Sequence, residues 1–246
     1  MSDFLLLHGM TMAGWAWERV LPRLQADPRA GRVLAPDFPG RGSQRPADLN
    51  TIRLADYLAT ILDQLRRHDL RDVVLVGHSA GGICLQAAAA AEPARIRRLV
   101  FLCAAIPQRG RSVLDWQPWP LRLGNRAWMW LQRYGRRGIV PSRRLARRTL
   151  CAGLRREECD AVLARLTPEP QRLILDRLDW DPGRVRAPAS YILTTRDRVV
   201  APQLQQTMAQ TVPGIELVPL RAGHAQPLSD PAWLVRRLLS YAAPPA

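Results

Sequence analysis

Residues 73–82 read Val-Val-Leu-Val-Gly-His-Ser-Ala-Gly-Gly. A short apolar run meets a Gly-x-Ser-x-Gly pentapeptide. Residues 80–91 then continue nearly all-apolar and stop at Glu92-Pro93. An apolar run without alternation suits a parallel strand covered on both faces. The stretch after it reads as a buried helix halted by proline. The turn between them must be tight, and the glycines at 77 and 81 remove the Cβ atoms that would block it. Strand, sharp turn and helix with a serine at the apex make a nucleophile elbow, with Ser79 Oγ above the carboxyl edge of a sheet.

Such an elbow requires parallel neighbours, and the chain supplies them. Apolar β-like runs recur at Phe4–Leu7, Arg32–Ala35, Val73–Val76, Leu99–Cys103, Ser190–Thr194 and Glu216–Leu220. Helical patterns lie between them. Over residues 51–67 the apolar positions Ile52, Ala55, Leu58, Ala59, Leu62 and Leu65 form one stripe. A last helix over 231–242 starts after the N-cap residue Asp230 with Pro231 in its first turn. This alternation predicts a doubly wound parallel sheet. It breaks between Pro107 and Ala187, a stretch too long for a plain loop. The expected organisation is a core of residues 1–107 and 187–246 with a helical cap inserted at 108–186. Five of the eight tryptophans fall in the cap: Trp116, Trp119, Trp128, Trp130 and Trp180.

A serine hydroxyl is a weak nucleophile and needs a base that a third group orients. In an elbow fold the chain order is serine, acid, histidine. Of the four histidines, His8 precedes the serine, His78 adjoins it and His68 ends a helix. His224 alone follows the last strand run, in Ala222-Gly-His-Ala225, and is the expected base. Asp197 sits just past the fifth run, in Thr195-Arg-Asp-Arg198, and is the expected acid. Asp115, after the fourth run, is the alternate. His8-Gly9 ends the first run, so the backbone N–H groups of Met10 and Ala80 are the expected oxyanion donors. Such donors contribute about 2.7–4 kcal/mol to a transition state. This chemistry calls for no metal and no organic cofactor.

The charge is +15, from 36 basic and 21 acidic residues, and every basic residue is arginine. The absence of lysine excludes Schiff-base and P-loop lysine chemistry. Residues 108–186 hold 18 arginines against 8 acidic residues, so +10 of the +15 lies there. The remaining +5 is too little for a nucleic-acid footprint over a whole domain. The arginine-rich cap reads either as a solvated face of an arginine-biased chain or as a surface for an anionic substrate, a carrier protein or an anionic membrane surface. No apolar stretch approaches the ~20 residues of a membrane span. The cysteines Cys84, Cys103, Cys151 and Cys159 form no Cys-x-x-Cys pair, and no charged leader precedes Phe4. We therefore expect a cytoplasmic protein with reduced thiols.

Three blocks together resemble the α/β-hydrolase superfamily: Leu7-His-Gly-Met-Thr-Met-Ala-Gly-Trp-Ala-Trp17, Ala35-Pro-Asp-Phe-Pro-Gly-Arg-Gly42 and the elbow. The spacing from His8-Gly9 to Trp15 and Trp17 is similar to the small methylesterases and hydroxynitrile lyases. The resemblance implies a six-stranded, mostly parallel sheet in the order 2-1-3-4-5-6, helices on both faces and a cap between strands four and five. It also implies a substrate pocket that includes Gly9, Trp15, His78 and Trp128. The lyases carry a threonine and a lysine where this chain has Gly9 and Ala225, so the esterase branch fits better. Ser79 argues against the dehalogenases and epoxide hydrolases, which use an aspartate in the elbow. The expected activity is serine-dependent cleavage of a small, largely apolar carboxylic ester. A tailoring lyase or cyclase, or a carrier-protein thioesterase, is the alternative on the same residues. A non-catalytic binder is a third reading, disfavoured by the complete set of Ser79, Asp197 and His224.

Overall fold

The computed structural model describes residues 1–41, 48–117, 119–132 and 138–242, without the side chains of 121 and 128–132. Six strands are present: β1 Ser2–Leu7, β2 Ala30–Leu34, β3 Val73–His78, β4 Ile96–Leu102, β5 Ala189–Thr194 and β6 Glu216–Leu220. They form one sheet in the order β2-β1-β3-β4-β5-β6, with every pair parallel. Among the described residues, ten α-helices connect and cover them. In the amino-terminal half these are α1 Leu21–Gln25, α2 Leu54–Arg67 and α3 Leu85–Ala91. Between β4 and β5 come α4 Trp119–Gln132, α5 Arg143–Arg148, α6 Arg156–Arg165 and α7 Arg172–Leu175. The carboxyl-terminal part has α8 Pro202–Ala209, α9 Gln226–Ser229 and α10 Pro231–Leu239.

The period of two along each strand sorts the core into two layers. Leu5, Leu7, Val73, Leu75, Leu99, Phe101, Tyr191 and Leu193 face the cluster that holds α2, α3 and α8. Phe4, Leu6, Val74, Val76, Val100, Leu102 and Ile192 face the cluster that holds α1 and α10. Strand β3 lies at the centre and is buried along its whole length. The edge strand β6 is half-exposed, and its Glu216 accepts from Ser190 Oγ and pairs with Arg98 and Arg237.

Strands β1 to β5 start earlier or run longer than the apolar runs alone indicate, while β6 coincides with its run. β4 begins at Ile96, because Arg97 and Arg98 extend it with ion pairs at the sheet's amino edge. It stops before Cys103, whose φ of 38° is left-handed and turns the chain out of the sheet. Among its described residues, the segment from Cys103 to Pro188 adds helices and no strand of the sheet. An isolated bridge there joins Ile139 and Glu169 antiparallel. All four cysteines are buried and unpaired. Among the described residues no helix is long and apolar enough to cross a membrane.

Candidate active site

Strand β3 delivers Ser79 at the carboxyl edge of the sheet, in a left-handed backbone conformation with φ of 51°. That conformation is costly for a residue with a side chain, of the order of 1–3 kcal/mol, and persists only where the surroundings enforce it. The enforcement is visible at Gly81. A Cβ there would lie 2.6 Å from Leu7 O and 2.8 Å from His8 O. Only a glycine lets the turn pack so closely on the end of β1. Ser79 O also accepts from Ala105 N at 3.0 Å, which ties the turn to the exit of β4.

The exits of β5 and β6 bring Asp197 and His224 together. His224 Nδ1 lies 2.7 Å from Asp197 Oδ2, and both side chains are buried. The same carboxylate oxygen accepts from Thr194 Oγ1 at 2.9 Å, and Oδ1 accepts from Val199 N and Val200 N at 2.7 and 2.9 Å. Gln205 in turn fixes Thr194. Burial opposes ionisation of Asp197. Its bond to His224, the His224 charge and the two amides outweigh burial and hold the carboxyl below its usual range. A carboxylate on Nδ1 makes that nitrogen the protonated one and leaves Nε2 as the basic atom. Asp115 stands elsewhere, accepting from Ser112 and pairing with Arg122.

Ser79 and His224 line a cavity of about 440 Å³ together with Met10 and Thr11. Its outer wall is apolar and comes from the β4–β5 segment: Ile139, Val140, Pro141, Leu145 and Leu150. Among the described residues, neither Met10 N–H nor Ala80 N–H has a hydrogen-bond partner. Two free amides thus flank Ser79, one from the β1 loop and one from the elbow.

The four residues expected in the pocket are placed differently from one another. Gly9 abuts Ser79, since a Cβ on it would lie 2.9 Å from Ser79 Cβ. His78 does not line the cavity. It is buried beneath it and donates from Nε2 to His224 O at 2.9 Å. Burial, and next the neighbouring His224, lower its pKa to about 3, so the ring is neutral at pH 7. Cys103 Sγ lies on the same carbonyl at 3.6 Å, which accounts for the approach of His78, Cys103 and His224 ligand atoms to within 4.8 Å. Trp15 also lies outside the cavity, with the Arg165 guanidinium 4.4 Å over its ring. The side chain of Trp128 lies outside the described residues. His8, for its part, donates from Nδ1 to Gly9 O and accepts from Phe38 N at Nε2, which shapes the β1 loop.

One buried group near the site has no counterpart in the sequence analysis. Glu169 Oε2 accepts from Thr11 N at 2.6 Å and pairs with Arg41, while Oε1 accepts from Tyr57. Arg41 also donates to Met12 O at 2.6 Å. Thr11 itself is left-handed, with φ of 63°. Burial pushes the Glu169 carboxyl up, against Arg41, Tyr57 and the Thr11 amide. The pair therefore clamps the loop that carries the Met10 amide. The only local hints were the block containing Arg41 and the odd Pro168-Glu169-Pro170 triplet.

A parallel six-stranded sheet, a left-handed serine elbow on β3 and a buried Asp–His pair at the exits of β5 and β6 define a hydrolase-type site. The chain belongs to the alpha/beta hydrolase family, whose model matches residues 4–237. It is 33% identical to a carbendazim-hydrolysing esterase of Nocardioides sp. (strain SG-4G) over 119 residues, 48% of each protein. It is 28% identical to putative methylesterase 11, chloroplastic, of Arabidopsis thaliana over 255 residues, 98% of this chain and 64% of that protein. The aligned regions thus cover about half and about two thirds of these two relatives' lengths. Among solved structures, an extracellular alpha/beta-hydrolase from a Paenibacillus species superposes with a TM-score of 0.85 at 21% identity. That match covers 99% of this chain and 100% of that one and shows the shared fold.

Proposed function

We propose that this protein is a serine hydrolase that cleaves a small, largely apolar carboxylic ester through an acyl-enzyme. The observation that carries this is the buried His224 Nδ1–Asp197 Oδ2 bond of 2.7 Å beside a cavity that His224 shares with Ser79. His224 Nε2 takes the Ser79 proton as Oγ attacks the ester carbonyl. Asp197 holds the imidazole tautomer and stabilises the imidazolium. The free amides of Met10 and Ala80 receive the developing oxyanion. His224 then protonates the departing alcohol, and water, activated by the same imidazole, releases the acid. No step requires a metal or an organic cofactor. Residues 108–186 act as a cap whose apolar wall holds the acyl or alcohol group. The names of the relatives, a carbendazim-hydrolysing esterase and methylesterases, support ester cleavage. We place the protein in the cytoplasm.

A fluorophosphonate probe tests the reading. It should label Ser79 covalently in the wild type and not in Ser79→Ala, and the variant should lose hydrolysis of p-nitrophenyl acetate. Folded wild-type protein that neither labels nor hydrolyses overturns the proposal.

A further inference from the structure

The arginines outside the β4–β5 segment are, with few exceptions, spoken for. Arg19, Arg29, Arg53, Arg66, Arg67, Arg71, Arg95, Arg97, Arg98 and Arg237 pair with carboxylates. Arg23 and Arg32 donate to backbone carbonyls, and Arg41 is held by Glu169. Among the described residues of 1–107 and 187–246, the guanidinium groups of Arg196, Arg198, Arg221 and Arg236 have no hydrogen-bond or ion-pair partner. Three of these four gather at one place. Arg196, Arg198 and Arg221 line a second cavity, of about 740 Å³, between the exits of β5 and β6 and residues 152–154. Among the described residues, no arginine of the β4–β5 segment lines this cavity or the one at Ser79.

The backbone explains the grouping. β5 and β6 pair through Thr194 and Leu220. Beyond the sheet the pairing continues, with Thr195 N donating to Leu220 O and Arg196 N to Ala222 O, so Arg196 and Arg221 leave neighbouring strands side by side. Arg198 lines both cavities, this one and the one that contains Ser79 and His224. Two carboxylates share the second cavity, and each is committed. Asp197 serves His224 and two amides, while Asp230 caps α10 through Trp233 N. The cleft therefore presents three planar donor forks and no free carboxylate partner for them. A guanidinium fork matches the paired oxygens of carboxylate and phosphate. The volume lies within the range of about 300–1,000 Å³ usual for small-molecule sites.

We propose that Arg196, Arg198 and Arg221 form an oxyanion-group subsite that receives a carboxylate or phosphate borne on the ester substrate. The apolar part and the scissile ester occupy the Ser79 cavity, and the anion passes Arg198 into the arginine cleft. This assignment rests on Ser79 being the esterolytic nucleophile. It moves the anion recognition expected of the 108–186 arginines onto the core, beside the reacting atoms.

Two measurements on the full chain, wild type and the double variant Arg196→Gln/Arg221→Gln, test it. Both substituted side chains are exposed, so the variant is expected to keep the wild-type melting temperature. Calorimetry at low salt should show wild type binding inorganic pyrophosphate and glutarate, and the double variant binding them at least about tenfold more weakly. The ratio of the two affinities tells which anion the cleft takes. No binding by wild type, or equal binding by both proteins, overturns the cleft. In hydrolysis, wild type should prefer mono-p-nitrophenyl glutarate over p-nitrophenyl butyrate in kcat/KM. That preference should fall about tenfold in the double variant and shrink with added salt. An unchanged preference overturns the link to substrate. If neither ester turns over, the nucleophile reading fails, while the calorimetry still decides the cleft.

Discussion

Two buried carboxylates bound to cationic or basic partners flank the candidate site, and they are built differently. Asp197 meets His224 with two backbone amides and a threonine hydroxyl around it, and its carboxyl is held below the usual range. Glu169 meets Arg41 in full burial, and its carboxyl is pushed up. The first pair contains an imidazole, with one nitrogen on the carboxylate and the other left as a basic atom. The second contains an arginine, which stays charged throughout. The first arrangement suits the proton transfer proposed for His224, and the second holds the Thr11 loop.

The sharpest way to break this comparison is Asp197→Asn. It should lower kcat by about 10⁴ through the wrong imidazole tautomer, with the fold retained by circular dichroism. A variant with near wild-type kcat would remove Asp197 from the chemistry. Next comes Glu169→Ala, which strands the Arg41 charge. It should cost about 3–5 kcal/mol in denaturant unfolding, and it should damage activity only through the shifted Thr11 loop. Full stability in that variant would mean that the clamp holds nothing.

Acid titration gives an effect spread over several pH units. The pKa of His78 is lowered to about 3, chiefly by burial, and so is that of His8. Both are neutral in the fold, while the unfolded chain takes up protons below pH 6.5. Their contribution is full above pH 6.5 and is lost as pH falls towards 3, at about 1.4 kcal/mol per pH unit for each. Asp197, with its lowered pKa, adds loss at the acid end as pH drops through its folded value. Glu169 has the opposite sign, because its folded carboxyl binds a proton more readily than the unfolded one. Unfolding free energies between pH 7 and 4 should fall steeply, and His78→Gln should halve the slope. An unchanged slope would remove His78 from the acid response. The smallest effect is expected from Thr194→Val, which deletes one donor to Asp197. A loss of about 1.5–3 kcal/mol in stability or in transition-state stabilisation, read from unfolding and kcat/KM, would match a bond to a charged group.

Much of the architecture was open to reading from the chain. The short apolar runs corresponded to β1 through β6 because buried parallel strands need apolar residues on both faces. The elbow motif pointed to Ser79, and chain order with position after the fifth and last runs pointed to Asp197, with Asp115 as the alternate, and His224; the fold brings the exits of β5 and β6 together. Side-chain direction was less accessible. His78 alternates with Gly77 and Ser79 at the end of β3, and nothing in that pattern says that its ring turns beneath the cavity onto His224 O. Trp15 was placed by Arg165, a residue 150 positions away. The Arg41–Glu169–Tyr57 cluster joins residues 112 to 128 positions apart, with no spacing rule to connect them. The arginine total said little about function, because only neighbouring carboxylates show which guanidinium groups are free.

The short bridge between Ile139 and Glu169 has a mechanical consequence. Its two backbone bonds, each 2.8 Å, tie a wall residue of the cavity to the residue whose carboxylate holds Thr11. One residue therefore links wall and loop. The backbone of Glu169 positions Ile139 at the cavity, and its side chain anchors Thr11 beside Met10.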